Sequence, residues 1–290
     1  YQIDPKSPIY QSAKQSLRTA EAEYDKLTNT TRDESPAINN LNINKITNIS
    51  GQVFFTTLDN KLYKHNQTLD PDVLTNTNDI GTISAINSDS EKNIIYILSD
   101  TGLNQFSLDT KITTPVTTKS DKAFLTGNKI KIYLSNIYIL NKVDQQIYKY
   151  LNVENRFLDQ QNYLKETAEV DKSIDFAIDG NIYLLFGDGK IIKYTKGSKQ
   201  DLSIKNIPAP ATSITNPLSI FTLENSNSLY VLDKPNNYRV LSFSKNGDYQ
   251  KQIIIKNSNQ NIVDMLIDEN NKKIYLASDK GLYLVDLWFP

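Results

Sequence analysis

The sequence predicts an all-β fold: a six-bladed β-propeller of four-stranded antiparallel blades, preceded by an N-terminal α-helical segment. Three columns of residues predict it. Aromatics recur at Phe54, Tyr96, Tyr138, Tyr183, Tyr230 and Tyr275, with spacings of 42, 42, 45, 47 and 45. Turn acids recur at Asp59, Asp100, Asp188, Asp233 and Asp279, with Asn141 in the third copy. A second aromatic series runs His65, Phe106, Tyr150, Tyr194 and Phe243, ending in Val285. Columns of this kind arise when equivalent strands pack face to face in successive blades. A fixed repeat of this length also argues for one domain, because each unit needs its neighbours to bury its faces.

Residues 1–35 are read as helix and linker, and 36–290 as the propeller. Ser7 is a suitable N-cap, with Pro8 at the first helical position. Tyr10, Ala13, Leu17, Ala20, Tyr24 and Leu27 then follow at spacings of 3, 4, 3, 4 and 3, a short heptad seam. This helix, 8–28, either packs on its own propeller or ends a longer stalk through which the chain oligomerises. Residues 28–40 are rich in Thr, Asn, Asp and Pro and read as a linker. A segment near 37–43 is expected to return as a strand and pair with 282–287, because the last repeat has no fourth strand of its own.

The repeats follow in order. The first has apolar strands at 46–50 and 52–58, a turn at Asp59-Asn60, and a strand at 62–66. The second has 82–86, 94–98, Asp100-Thr101-Gly102 and 103–108. The third is the least regular, with 128–134, 137–140 and 146–151, and leaves 123–125 unplaced. The fourth has 174–178, 182–186, Gly187-Asp188-Gly189 and 191–195. The sixth has 262–267, 273–277, Asp279-Lys280-Gly281 and 282–287. Gly and Asn at the turns supply positive φ.

The fifth repeat, 216–247, is the cleanest. Pro217, Glu224, Tyr230, Val231, Asp233, Asn237, Arg239, Val240, Phe243 and Gly247 stand in one register, with a polar outer strand at 249–255. In these residues the chain resembles the NHL repeat family. The resemblance implies a propeller that binds partners; it does not imply an enzyme.

Composition excludes several classes. The 32 basic and 33 acidic residues leave a net charge of −1, and the lysines form no stripe with interleaved aromatics, so nucleic acid is not an expected partner. Cysteine is absent and there is a single histidine, which rules out His/Cys zinc sites. No run is long enough to span a membrane, so a membrane would be reached only through a segment upstream of Tyr1. A cysteine-free propeller of this kind fits the extracytoplasmic side or the surface of a bacterium.

The chemistry-bearing residues are few. His65 occupies an aromatic column and reads as a core residue. Asp79, Asp171, Asn216 and Gln260 precede innermost strands and are expected at the mouth of the central channel, with the Tyr238–Arg239 turn on the rim. Asp175 and Asp264 lie inside innermost strands, where a carboxylate is costly unless it faces water or a partner. They are candidate oxygen ligands for a divalent cation such as calcium in the channel; no other cofactor is expected. Lactonase-like and gluconolactonase-like propellers use such a metal, but the sequence lacks their further Glu and their catalytic His or acid. The reading is a non-catalytic propeller that recognises a protein, peptide or glycan. The alternatives are a metal-dependent lactonase-type hydrolase and a scaffold assembled through the helix.

Overall fold

Short apolar strands joined by tight turns can bury both faces only by stacking against further copies of themselves. The computed structural model describes residues 4–66, 71–76, 78–166, 168–256 and 260–287, and in it six such sheets are arranged around one channel. The innermost strands are Ile43–Ile49, Ile83–Asp89, Lys129–Tyr133, Ser173–Ile178, Pro217–Thr222 and Ile262–Asp268. Each contacts the next, and the last contacts the first, so the ring closes. Blades 1–5 have four antiparallel strands of their own, and blade 6 has three.

Six hydrophobic clusters fill the six seams between blades. Tyr96, Tyr138, Tyr183 and Tyr230 each lie in the cluster shared with the following blade. Phe54 does the same toward blade 2, and Tyr275 toward blade 1. The other aromatic column faces backwards: Phe106, Tyr150, Tyr194 and Phe243 pack on the preceding blade. His65 keeps this pattern, meeting Tyr275 of blade 6 edge to face at 6.2 Å. The turn acids bond to backbone. Asp100 accepts the N–H of Thr82 at 2.9 Å and Asp279 that of Asn261 at 2.7 Å.

The N-terminal segment departs from expectation. Thr30–Asp33 is not linker but a fifth strand of blade 5, running parallel to Tyr249–Ile255 and covering that sheet's edge. Its Thr-Thr-Arg-Asp sequence has no alternation to announce a strand. Closure of blade 6 is narrower than a full strand. Ala37 bridges Tyr283 and the Ile38 N–H donates to Leu282 O at 2.8 Å. Pro36 has no N–H to extend the pairing, and Ile43 already belongs to the innermost strand of blade 1. The unplaced 123–125 lie in a short helix, Lys122–Thr126, whose Ala123 and Phe124 plug the seam between blades 2 and 3.

The first helix, Pro8–Thr28, is capped as expected: the Tyr10 N–H donates to Ser7 Oγ, and Asn29 ends it in the left-handed region. Its seam does not pack on the propeller. None of its residues is buried, and Ile9, Leu17 and Leu27 are 78, 61 and 82 % exposed. Only its last turns are held. The Tyr24 hydroxyl donates to Ala209 O at 2.5 Å, and Arg32 grips Asp25 from two nitrogens.

Candidate functional site

The register of the blades builds two rings of side chains in the channel. Opposite each second-strand aromatic stands one residue of the innermost strand: Thr47, Asn87, Lys131, Ala177, Phe221 and Leu266. Two residues earlier come Lys45, Ala85, Lys129, Asp175, Ser219 and Asp264. In five of the six blades a β-bulge falls immediately before this second ring, as between Ile43 and Lys45 or Ser173 and Asp175. A bulge bends the strand and re-aims the side chain that follows it. That device precedes Lys45, Asp175 and Asp264, whereas Lys129 of blade 3 stands in regular register.

The charges of the second ring and Lys131 form one cluster. Asp175 is 2 % exposed, and Lys129 and Lys131 stand 3.9 and 3.8 Å from its Oδ1. Its Oδ2 accepts the N–H of Ile220 in blade 5 at 3.1 Å. Asp264 does the same across the closing seam, accepting the N–H of Ile46 in blade 1 at 3.3 Å and also that of Met265 at 2.9 Å. Burial pulls the Lys129 ammonium down, but Asp175 and Asp264 outweigh it and leave its pKa raised. At Lys45 burial wins: its pKa is lowered despite Asp264, and Lys129 adds to the lowering. Three lysines thus face two aspartates, and one of the three is poorly compensated.

Asp175 Oδ1 and Ser219 Oγ, both in this ring and both buried, have no hydrogen-bond partner among the described residues. Above the ring a cavity of about 220 Å³ opens at the trailing rim, where the innermost strands end. All six strands line it, with Lys131, Asp264, Asn48, Asn87 and Glu224 among its polar groups and Phe221 among its apolar ones. The Tyr133 hydroxyl of blade 3 donates to Glu224 Oε1 of blade 5 at 3.1 Å, a bar across this mouth that spans blade 4.

The sequence-predicted residues fall in different places. Asp79, Asp171 and Asn216 are exposed at the opposite, leading rim. Gln260 precedes its innermost strand on the same rim but is buried, with Nε2 unpartnered among the described residues. No hydrogen bond or ion pair among the described residues joins any two of these four. Asp79 instead lines a groove with Thr101 and Phe124. Tyr238 and Arg239 are not on the rim, being 0 and 4 % exposed. The Tyr238 hydroxyl accepts the N–H of Ile262. Arg239 is buried because it pairs with Asp233 at 2.8 Å and donates to Ala211 O and Ser213 O, pinning the connection from blade 4.

Asp175 and Asp264 do lie in the channel, but with lysines rather than further acids beside them. Among the described residues no group of three or more His, Cys, Asp or Glu is placed to hold a metal ion. Lys129 and Lys131 were passed over because the lysines were weighed only as a surface stripe, which they do not form. Their alternation inside one innermost strand was the available signal.

Comparisons with known proteins bear on the fold. No family model and no curated protein matches the sequence. The resemblance to NHL repeats therefore rests on the fifth repeat alone. Many solved structures are similar. A gluconolactonase from Xanthomonas campestris superposes with a TM-score of 0.63 at 10 % identity, covering 87 % of this chain and 88 % of that one. A chain of a nidogen/laminin complex gives 0.54 at 10 % identity, covering 74 and 85 %. PorZ, a surface component of the type-IX secretion system of Porphyromonas gingivalis, gives 0.53 at 12 % identity; the match covers 88 % of this chain but only 38 % of PorZ. The extracellular domain of a one-component system from B. thetaiotaomicron gives 0.52 at 15 % identity, covering 85 % of this chain and 35 % of that one. At such identities the likeness establishes the six-bladed propeller and nothing finer.

Proposed function

We propose that this chain is a non-catalytic recognition propeller acting outside the cytoplasm, whose trailing rim meets a protein, peptide or glycan. One observation carries the reading: each channel aspartate gives an oxygen to a backbone N–H of the next blade, and the ammonium groups of Lys129 and Lys131, not further acids, stand beside Asp175. A general base or a metal ligand needs lone pairs directed at a substrate or ion. The lone histidine is committed to a blade seam. The surface and extracellular proteins among the structural neighbours support the location. No described helix is long and apolar enough to cross a membrane.

The test is a peptide and glycan array probed with the intact chain and with Glu224→Ala and Asp79→Ala variants. Binding lost with Glu224→Ala alone supports the trailing rim. Binding lost with Asp79→Ala alone returns the site to the leading rim with Asp171 and Asn216. The lactonase-type alternative is tested by a lactone panel with added calcium; turnover abolished by Asp264→Asn would replace the binding reading with a hydrolase.

A second role follows from the exposed seam of the first helix. A 21-residue helix burying none of its residues is marginal in water unless something covers it. Self-association through Tyr10, Ala13 and Leu17 would supply that cover. Sedimentation with and without residues 1–28 decides: a monomer in both forms removes this role.

A further inference from the structure

We propose that the cavity at the trailing rim seats a single neutral sugar ring, the end of a glycan chain. The assignment rests on the rim reading above and names its ligand class. The arrangement of donors and acceptors is the first argument. Asn87 of blade 2 and Lys131 of blade 3 line one side of the cavity, and Glu224 of blade 5 and Asp264 of blade 6 line the other. In a ring of six, blade 5 stands opposite blade 2, and blade 6 opposite blade 3. Asn87 Oδ1 accepts the N–H of Ile132 at 2.7 Å, which leaves Nδ2 without a partner among the described residues. The Lys131 ammonium makes no hydrogen bond among them either, its carboxylate neighbour Asp175 being 3.8 Å away. Glu224 accepts at Oε1 alone, and each Asp264 oxygen accepts a single backbone N–H. One wall therefore has donors to spare and the opposite wall has acceptors. A carboxylate answers only the first and an ammonium only the second. Hydroxyl groups answer both, and a sugar ring carries them on opposite edges.

Charge is the second argument. Lys131, Asp264 and Glu224 stand in the walls, and Lys45, Lys129 and Asp175 lie beneath them. Three ammonium groups face three carboxylates. A charged ligand would leave one charge unmatched in a partly desolvated place, whereas a neutral one keeps the balance.

Shape is the third. At about 220 Å³ the cavity is smaller than the roughly 300–1,000 Å³ of sites for drug-sized ligands, and it suits one ring. Phe221 supplies an apolar surface for the C–H face of that ring. The Tyr133–Glu224 bar crosses the mouth above Gly180 of blade 4, where a Cβ would stand 3.2 Å from the Tyr133 hydroxyl. The interior of a polymer would have to break the bar, and the end of a peptide brings a charge. The end ring of a neutral glycan enters beside the bar and brings none.

The experiment is calorimetric titration of the intact chain with the methyl glycosides of glucose, galactose, mannose and N-acetylglucosamine. Glucuronate, galacturonate and cyclohexanol serve as comparators. Saturable millimolar binding of at least one glycoside is expected, about tenfold or more tighter than either uronate, with none for cyclohexanol. Lys131→Met, its fold checked by melting, should weaken that glycoside about tenfold. Glu224→Gln leaves one positive charge in excess and should remove most of the preference over the uronates. Because Glu224 is exposed, this variant keeps the test decisive where Lys131→Met does not fold. No saturable binding of any glycoside, a uronate or cyclohexanol binding as tightly, or both variants behaving as the native chain would each overturn the assignment. A peptide on the array that is lost with Glu224→Ala while every glycoside fails would sink the sugar class and leave the rim reading standing.

Discussion

Asp264 of the last blade accepts the backbone N–H of Ile46 in the first, bonding the two ends of the propeller from inside the channel. The same carboxylate accepts the N–H of Met265 and lies near Lys45. Asp264→Ala leaves two N–H groups and an ammonium without it. Its expected cost is about 1–3 kcal/mol in urea denaturation, against less than about 1 kcal/mol for Asp264→Asn, which keeps an acceptor. Equal effects would mean that the charge matters and the bond does not.

Arg239 and Asp233 form the most buried ion pair described. Arg239→Met strands a carboxylate in the core and should cost about 3–5 kcal/mol. Arg239→Lys keeps the charge but cannot bond Asp233, Ala211 and Ser213 together. It should be milder and should open the 205–216 connection to proteolysis. A silent Arg239→Met would refute the pinning role.

His65 sets a pH dependence with a fixed sign. Burial lowers its pKa below the ordinary value of 6.5. The unfolded chain therefore binds the proton more readily than the folded one. Stability is fully present above pH 6.5 and is lost as pH falls from there through the folded pKa. Because the chain has one histidine, His65→Phe should flatten the melting temperature in that window. An unchanged slope would place its cause elsewhere.

A chelator should leave the melting temperature unchanged, and added calcium should not raise it. The ammonium groups beside Asp175 already supply positive charge. A calcium-dependent rise reversed by chelation would revive Asp175 and Asp264 as ligands.

Removing residues 1–28 should cost little, since the propeller holds that helix chiefly through Tyr24 and the Arg32–Asp25 pair. Removing residues 1–36 also uncovers the edge strand of blade 5 and should lower the melting temperature further and promote aggregation. Equal behaviour of the two truncations, read by melting and light scattering, would deny the strand its covering role.

The sequence made the blades legible because each seam imposes the same demand six times. Tyr96, Tyr138, Tyr183 and Tyr230 answer one pocket shape, and even His65 could be placed by its column. The site was less legible. Asp175 and Asp264 stood out as acids in apolar strands, yet the lysines that answer them come from other blades, and nothing local joins Lys129 to Asp175 across 46 positions of sequence. Arg239 was misplaced for a related reason. A turn beside two asparagines reads as surface, and only the folded connection carrying Ala211 and Ser213 covers it. Thr30–Asp33 was missed because a parallel edge strand borrows its partner from the far end of the chain.

That borrowing sets an order of events during synthesis. Thr30 meets Gln252, 222 positions later, and Ala37 waits longer still for Tyr283. At about 5–20 residues per second the opening segment waits roughly ten to fifty seconds for its partners to leave the ribosome. A strongly apolar strand in that interval would pair with whatever was nearest. Thr-Thr-Arg-Asp tolerates water until the fifth blade arrives, so the polar character that hid this strand also suits it to being made before the propeller and docking among its last elements.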